Sequence, residues 1–146
     1  MPDLFAEKLR KCAKIVLEEF DGDLRPIAKW PFPKAKKALQ KFPGIGGPGA
    51  EKILVFCGAY PVLAMESNGL RVLLRLGFAK EQKNYSATYH LVQKAAGEGA
   101  GTDCAELAQT HMLLRRHGQE LCKRSEPDCG KCPLANDCEF CRRENG

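Results

Sequence analysis

KAKKALQKFPGIGGPGAEKILVFCG, residues 34–58, decides how the chain folds. Residues 34–41 are short, basic and rich in helix-forming side chains. Pro43-Gly44-Ile45-Gly46-Gly47 follows and is a turn by composition. Residues 49–58 then place Ile53, Leu54, Phe56 and Cys57 on the apolar side of a second helix. Pro48 suits the first position of that helix, where a missing N–H costs little. The glycines permit positive φ and close backbone approach. Two helices joined this tightly leave unpaired N–H groups at the start of the second, and those groups can donate to a phosphate. Such a grip holds a nucleic-acid backbone without reading bases. The same residues also read as a plain glycine-rich connection between packed helices.

Outward from this stretch the chain keeps a helical period. Residues 3–20 repeat apolar side chains at Phe5, Leu9, Cys12, Val16 and Phe20 with Lys and Glu between them, an amphipathic helix that Gly22 ends. RPIAKWPFP is a break, because Pro26, Pro31 and Pro33 block continuous helix. Residues 67–76 hold Leu70, Val72, Leu73, Leu74 and Leu76, a largely buried helix. Residues 82–96 and 102–117 read as two more, separated by the glycines of GEGAG, with Gly118 closing the second. No segment alternates as a strand does, so the fold class is all-α. The 146 residues suit one domain with a small appendage. A net charge of +5 is compatible with a polyanionic partner and proves none. No apolar run is long enough to span a membrane, and MPDLFAEKLRK lacks the order of a signal peptide.

Half of the eight cysteines fall at Cys122, Cys129, Cys132 and Cys138, a C-x6-C-x2-C-x5-C spacing. Thiolates this close in sequence can converge on one metal centre, and an all-sulfur site selects zinc or an iron–sulfur cluster. Without an export signal the cysteines read as metal ligands in a reducing compartment rather than as disulfides. Cys141 leaves two ligand sets open. Cys129, Cys132, Cys138 and Cys141 form C-x2-C-x5-C-x2-C, a compact zinc pattern. Among the remaining side chains, His111 shares the apolar side of its helix with Leu107 and Leu114 and reads as a core residue. Trp30, Tyr60 and Tyr85 read as packing aromatics that have the shape to wedge against bases.

Three segments in order resemble the helix-hairpin-helix DNA glycosylases of the endonuclease III type. LQKFPGIGGPGAEKILVFCGAYP is similar to their hairpin. AMESNGLRVLLRLGF resembles the stretch carrying their catalytic acid ahead of an R-V pair, Arg71-Val72 here. HGQELCKRSEPDCGKCPLANDC is similar to their cluster loop. The resemblance implies a partial six-helix barrel over residues 1–118, with the hairpin at 34–58, and an iron–sulfur loop and tail over 119–146. It assigns Cys122, Cys129, Cys132 and Cys138 to a [4Fe-4S] cluster, leaving Cys141 spare. It implies that the cluster orders the loop so that Arg115, Arg116, Lys123, Arg124 and Lys131 meet phosphates. It gives DNA contacts to Gly44, Gly46, Gly47 and Lys52.

The family's catalytic aspartate falls here on Glu66, which keeps the charge on a side chain one methylene longer. A carboxylate there stabilises the positive charge that builds on the sugar as the glycosidic bond breaks, and it orients or deprotonates water. The ordinary reading of Glu66 is a helix cap. The lysine that forms a Schiff base in strand-cutting members falls on Pro48, which cannot be a nucleophile. The implied activity is therefore a monofunctional glycosylase acting on duplex DNA with a damaged or mismatched base, in a bacterial or archaeal cytoplasm at the nucleoid. The alternatives are a non-catalytic DNA-binding iron–sulfur remnant and a small zinc-binding module. The resemblance also implies further helices ahead of residues 3–20, supplied by a missing segment or a protein partner; without them apolar faces are left uncovered.

Overall fold

A computed structural model describes residues 2–146 of the chain. Those residues form seven α-helices with short 3₁₀ turns between them, and no strand is found among them. α1 is Pro2–Phe20, α2 Phe32–Leu39, α3 Gly47–Phe56, α4 Ser67–Leu76, α5 Tyr85–Gly97, α6 Cys104–Glu120 and α7 Glu139–Glu144. The all-α expectation holds, and the span expected at 67–76 is matched residue for residue. The proline-rich break folds as a 3₁₀ turn over Arg25–Lys29, and α2 begins early because Pro33 fits its first turn. α3 begins at Gly47, so Pro48 takes its second position rather than its first. α7 was not expected.

The core has two parts that meet at α3. One packs Ala35, Ala38 and Leu39 of α2 against Ala50 and Leu54 of α3, with Ile27 from the 3₁₀ turn. The other gathers Val55, Leu63, Met65, Leu70, Leu73, Tyr89, Val92 and Leu107 around α4, α5 and α6. α4 is central to the second part and lies closest to α6. A methyl added at Gly118 would come within 2.7 Å of the Asn68 carbonyl oxygen, and one at Gly69 within 3.2 Å of Leu114 Cβ. Gly118 therefore does not close α6. The helix runs through it to Glu120, and the glycine serves close helix contact instead.

α1 buries none of its side chains. Only its C-terminal end is anchored: Phe20 packs against Trp30 and Phe42, and Lys41 pairs with Glu19 at 2.7 Å. Leu4, Phe5, Leu9 and Leu17 face solvent, as the expectation of uncovered apolar faces requires. No helix among the described residues is long and apolar enough to cross a membrane.

Candidate functional site

The hairpin forms between α2 and α3. Gly44 adopts φ +85°, which only glycine reaches without strain, and its Cα faces open space. Gly46 is the N-cap of α3 in extended conformation, with no side chain to occupy the helix's free N–H groups. Gly44 and Gly46 are exposed and Gly47 is half-buried. Lys52 is exposed one turn into α3, its amine 6.0 Å from the Phe56 ring centre. An exposed glycine turn, a bare helix N-terminus and a lysine thus lie on one short segment.

A buried polar network holds this hairpin to the next site. Glu51 is 3% exposed, yet its carboxylate is fully engaged. Lys36 Nζ of α2 donates to Oε1 at 2.9 Å, while Tyr89 OH and Gln93 Nε2 of α5 donate to Oε2 at 2.7 and 2.9 Å. The Tyr89 hydroxyl also accepts from the Met65 backbone N–H at 3.2 Å, and Gln93 donates to the Leu63 carbonyl at 2.9 Å. Burial drives the Tyr89 hydroxyl pKa far up, and its bond to Glu51 adds to the rise, so it stays a proton donor. The segment before α4 is thereby tied to the helix of the hairpin. Sequence reading missed all of these residues. Glu51 and Tyr89 lie at unremarkable positions, and only their meeting across 38 residues gives them a role.

Glu66 is the N-cap of α4. Its Oε1 accepts from the Gly69 N–H at 2.7 Å and its Oε2 from Asn68 Nδ2 at 2.8 Å. Burial alone would raise its pKa. Hydrogen bonds from Gly69 and Asn68, with the charge of His111 nearby, outweigh that and leave the carboxyl below its ordinary value. Half-exposed Tyr85 feels the Glu66 charge as well. His111 is buried as expected, its Nδ1 2.7 Å from the Ala64 carbonyl oxygen and its Nε2 without a partner. Trp30 and Tyr60 serve packing: the Tyr60 hydroxyl donates to the Trp30 carbonyl, and the Lys34 amine lies 4.4 Å over the Trp30 ring.

The cysteine loop folds back on α4. Cys122, Cys129, Cys132, Cys138 and Cys141 all line one recess, whose remaining wall includes Val72, Leu76, Leu121, Leu134 and Phe140. Among the described residues no three His, Cys, Asp or Glu side chains meet closely enough to hold a single ion. Two arginines of α4 fasten the loop. Arg71 donates to the Gly118 and Cys122 carbonyls at 2.7 and 3.0 Å. Arg75 donates to the Lys123 and Arg124 carbonyls at 2.7 and 3.1 Å, and its Nη1 lies 3.4 Å from Cys122 Sγ. Burial depresses the pKa of Arg71 and of His117, whose Nε2 is 3.5 Å from Cys132 Sγ. Of the basic residues expected to face phosphate, Arg116 pairs with Glu120 and Lys131 with Asp128, while Arg115, Lys123 and Arg124 are exposed.

The hairpin, the carboxylate-capped helix and the cysteine loop lie on an all-helical fold that is similar to endonuclease III. Endonuclease III of Rickettsia conorii is 32% identical over 108 residues, which is 74% of this chain and 48% of the relative. Endonuclease III of Escherichia coli K12 is 28% identical over 135 residues, 92% of this chain and 57% of the relative. A solved structure of a trapped endonuclease III–DNA covalent intermediate superposes with a TM-score of 0.72 at 24% identity, over 97% of this chain and 60% of that one. No protein-family profile matches. In sequence and fold the chain is endonuclease III-like, and it spans about half the length of the curated relatives it matches.

Proposed function

We propose that the chain is a DNA repair glycosylase that hydrolyses the N-glycosidic bond of a damaged or mismatched base in duplex DNA. One observation carries the reading: an exposed glycine turn and a carboxylate held ionised at a helix start are joined through the buried Glu51–Tyr89–Met65 connection. The turn offers backbone N–H groups to phosphate at Gly44, Gly46 and Gly47, and Lys52 adds a charge beside them. Glu66 stands as the anion that stabilises positive charge on the sugar and orients water. Pro48 occupies the place of a lysine nucleophile, so the reaction is hydrolysis alone. Residues 1–118 form the helical part of this reading and 119–146 its metal loop.

The cysteine recess fits a [4Fe-4S] cluster by its donor chemistry. Such a cluster binds one thiolate per iron, so its ligands ring a cavity rather than meet at a point. Cys122, Cys129, Cys132 and Cys138 would hold it, with Arg75 beside the Cys122 sulfur as a compensating charge. When bound, the cluster supplies cross-links that order a polar loop too short to build a core. Arg71 and Arg75 do the rest, fixing the loop on α4.

A second reading is DNA binding without turnover. It is favoured by the two capping bonds of Glu66, which engage both carboxylate oxygens. A base-release screen on duplexes with varied lesions tests both. Release that disappears in Glu66→Gln supports the glycosylase; duplex binding with no release from any lesion selects the second reading. Iron and labile sulfide are measured on the same anaerobic preparation, and zinc in their place would remove the cluster from the proposal.

A further inference from the structure

The recess holds one thiol more than a four-cysteine group uses. Cys141 is the most buried of the five, at 7% exposure, whereas the other four are half-buried. It lies on α7, whose N-cap is Cys138, and both residues line the recess. Cys129 and Cys141 line the same recess. Asn145 Nδ2 donates to Cys141 Sγ at 3.2 Å. Cys122 lies just past the end of α6, on the segment that Arg75 pins to α4. Cys129, Cys132 and Cys138 are therefore shared by two four-thiol sets, one closed by Cys122 and the other by Cys141.

We propose that Cys141 is a standby ligand of this recess, able to take the place of Cys122 on the fourth iron; the inference rests on the cluster reading above. The exchange conserves electrons. The iron–sulfur bond to Cys122 breaks, and that sulfur leaves as a thiolate and takes up a proton. The Cys141 thiol gives up its proton, and its thiolate bonds to the same iron. No oxidation state changes. The Asn145 amide is already placed to donate to the incoming sulfur, and burial keeps Cys141 from competing reactions in solvent. Cys122 is the more accessible thiol, and its loss or oxidation then leaves a full set of four.

The test compares the whole chain with Cys122→Ala, Cys132→Ala and the double variant Cys122→Ala/Cys141→Ala, all isolated without oxygen. Cys104→Ala, outside the recess, controls for loss of a cysteine. Iron, labile sulfide and the visible absorption bands are read, and helix content is checked by circular dichroism. Cys122→Ala is expected to keep about half or more of the wild-type iron and sulfide with shifted bands, whereas Cys132→Ala and the double variant fall to about a tenth or less. A loaded wild type with Cys122→Ala as empty as the double variant overturns the standby role alone. Equal retention in the single and double variants overturns it too, because some other group would then be the fourth ligand. A wild type without iron and sulfide overturns the cluster reading and this inference together.

Discussion

Glu66 is asked to do two things at once, cap α4 and carry a negative charge. The two separate by substitution. Glu66→Gln keeps an oxygen that accepts from the Gly69 N–H but removes the charge. Its melting temperature should stay within about 2 °C of wild type, while base release falls on the order of a hundredfold or more. Glu66→Ala removes the cap as well and should also lose about 1 kcal/mol of stability in denaturant unfolding. Unchanged base release in Glu66→Gln would take the chemistry away from this residue. The pH dependence has a definite sign. The native carboxyl titrates below its ordinary value of 4.5, so its contribution to stability is complete above that value and disappears as pH falls through the lower native pKa. Glu66→Gln should accordingly flatten the acid limb of stability against pH by slightly lowering the neutral plateau, with the strongly acid range unchanged.

At the scale of elements, α4 is the organising piece. Its start presents Glu66, its inner face packs on α6, and its arginines reach the cysteine loop. The closeness to α6 depends on Gly118. Gly118→Ala would set a methyl 2.7 Å from the Asn68 carbonyl oxygen and 2.8 Å from Asn68 Cβ, so one helix must move. A loss of about 1–3 kcal/mol is expected in chemical unfolding; an unaltered midpoint would mean the contact relaxes freely. Arg75→Met keeps a long unbranched side chain but loses the bonds to Lys123 and Arg124 and the guanidinium over the Phe140 ring. Limited proteolysis after Lys123 and Arg124 should then speed up several-fold, with helix content unchanged. Equal cleavage rates would show that the loop is ordered without this arginine.

Across the whole molecule the informative quantity is charge rather than core. Lys52, Arg115, Lys123 and Arg124 are exposed, and the formal net charge is +5. Duplex binding should weaken linearly in log affinity against log salt, and Lys52→Ala should lower that slope by about one. A slope unaffected by Lys52→Ala would place the lysine away from phosphate. The second feature at this scale is α1, whose Leu4, Phe5, Leu9 and Leu17 are exposed although Phe20 and Glu19 fasten its end. That face was expected from the spacing of Phe5 and Leu9, and its exposure from the resemblance.

Local patterns made most of the architecture readable. Apolar spacing marked α1 and α4, proline and glycine marked the breaks, and the Gly44–Gly47 turn and the cysteine spacing announced themselves as motifs. Each of these acts over a few residues, so the chain displays it directly. The Glu51 network and the close α4–α6 contact at Gly118 were not readable. They join residues whose separation in the chain carries no pattern, and they exist only because packing brings distant apolar faces together. Covalent order set the helices and the donor types; burial and hydrogen-bond geometry in three dimensions decided which donors meet.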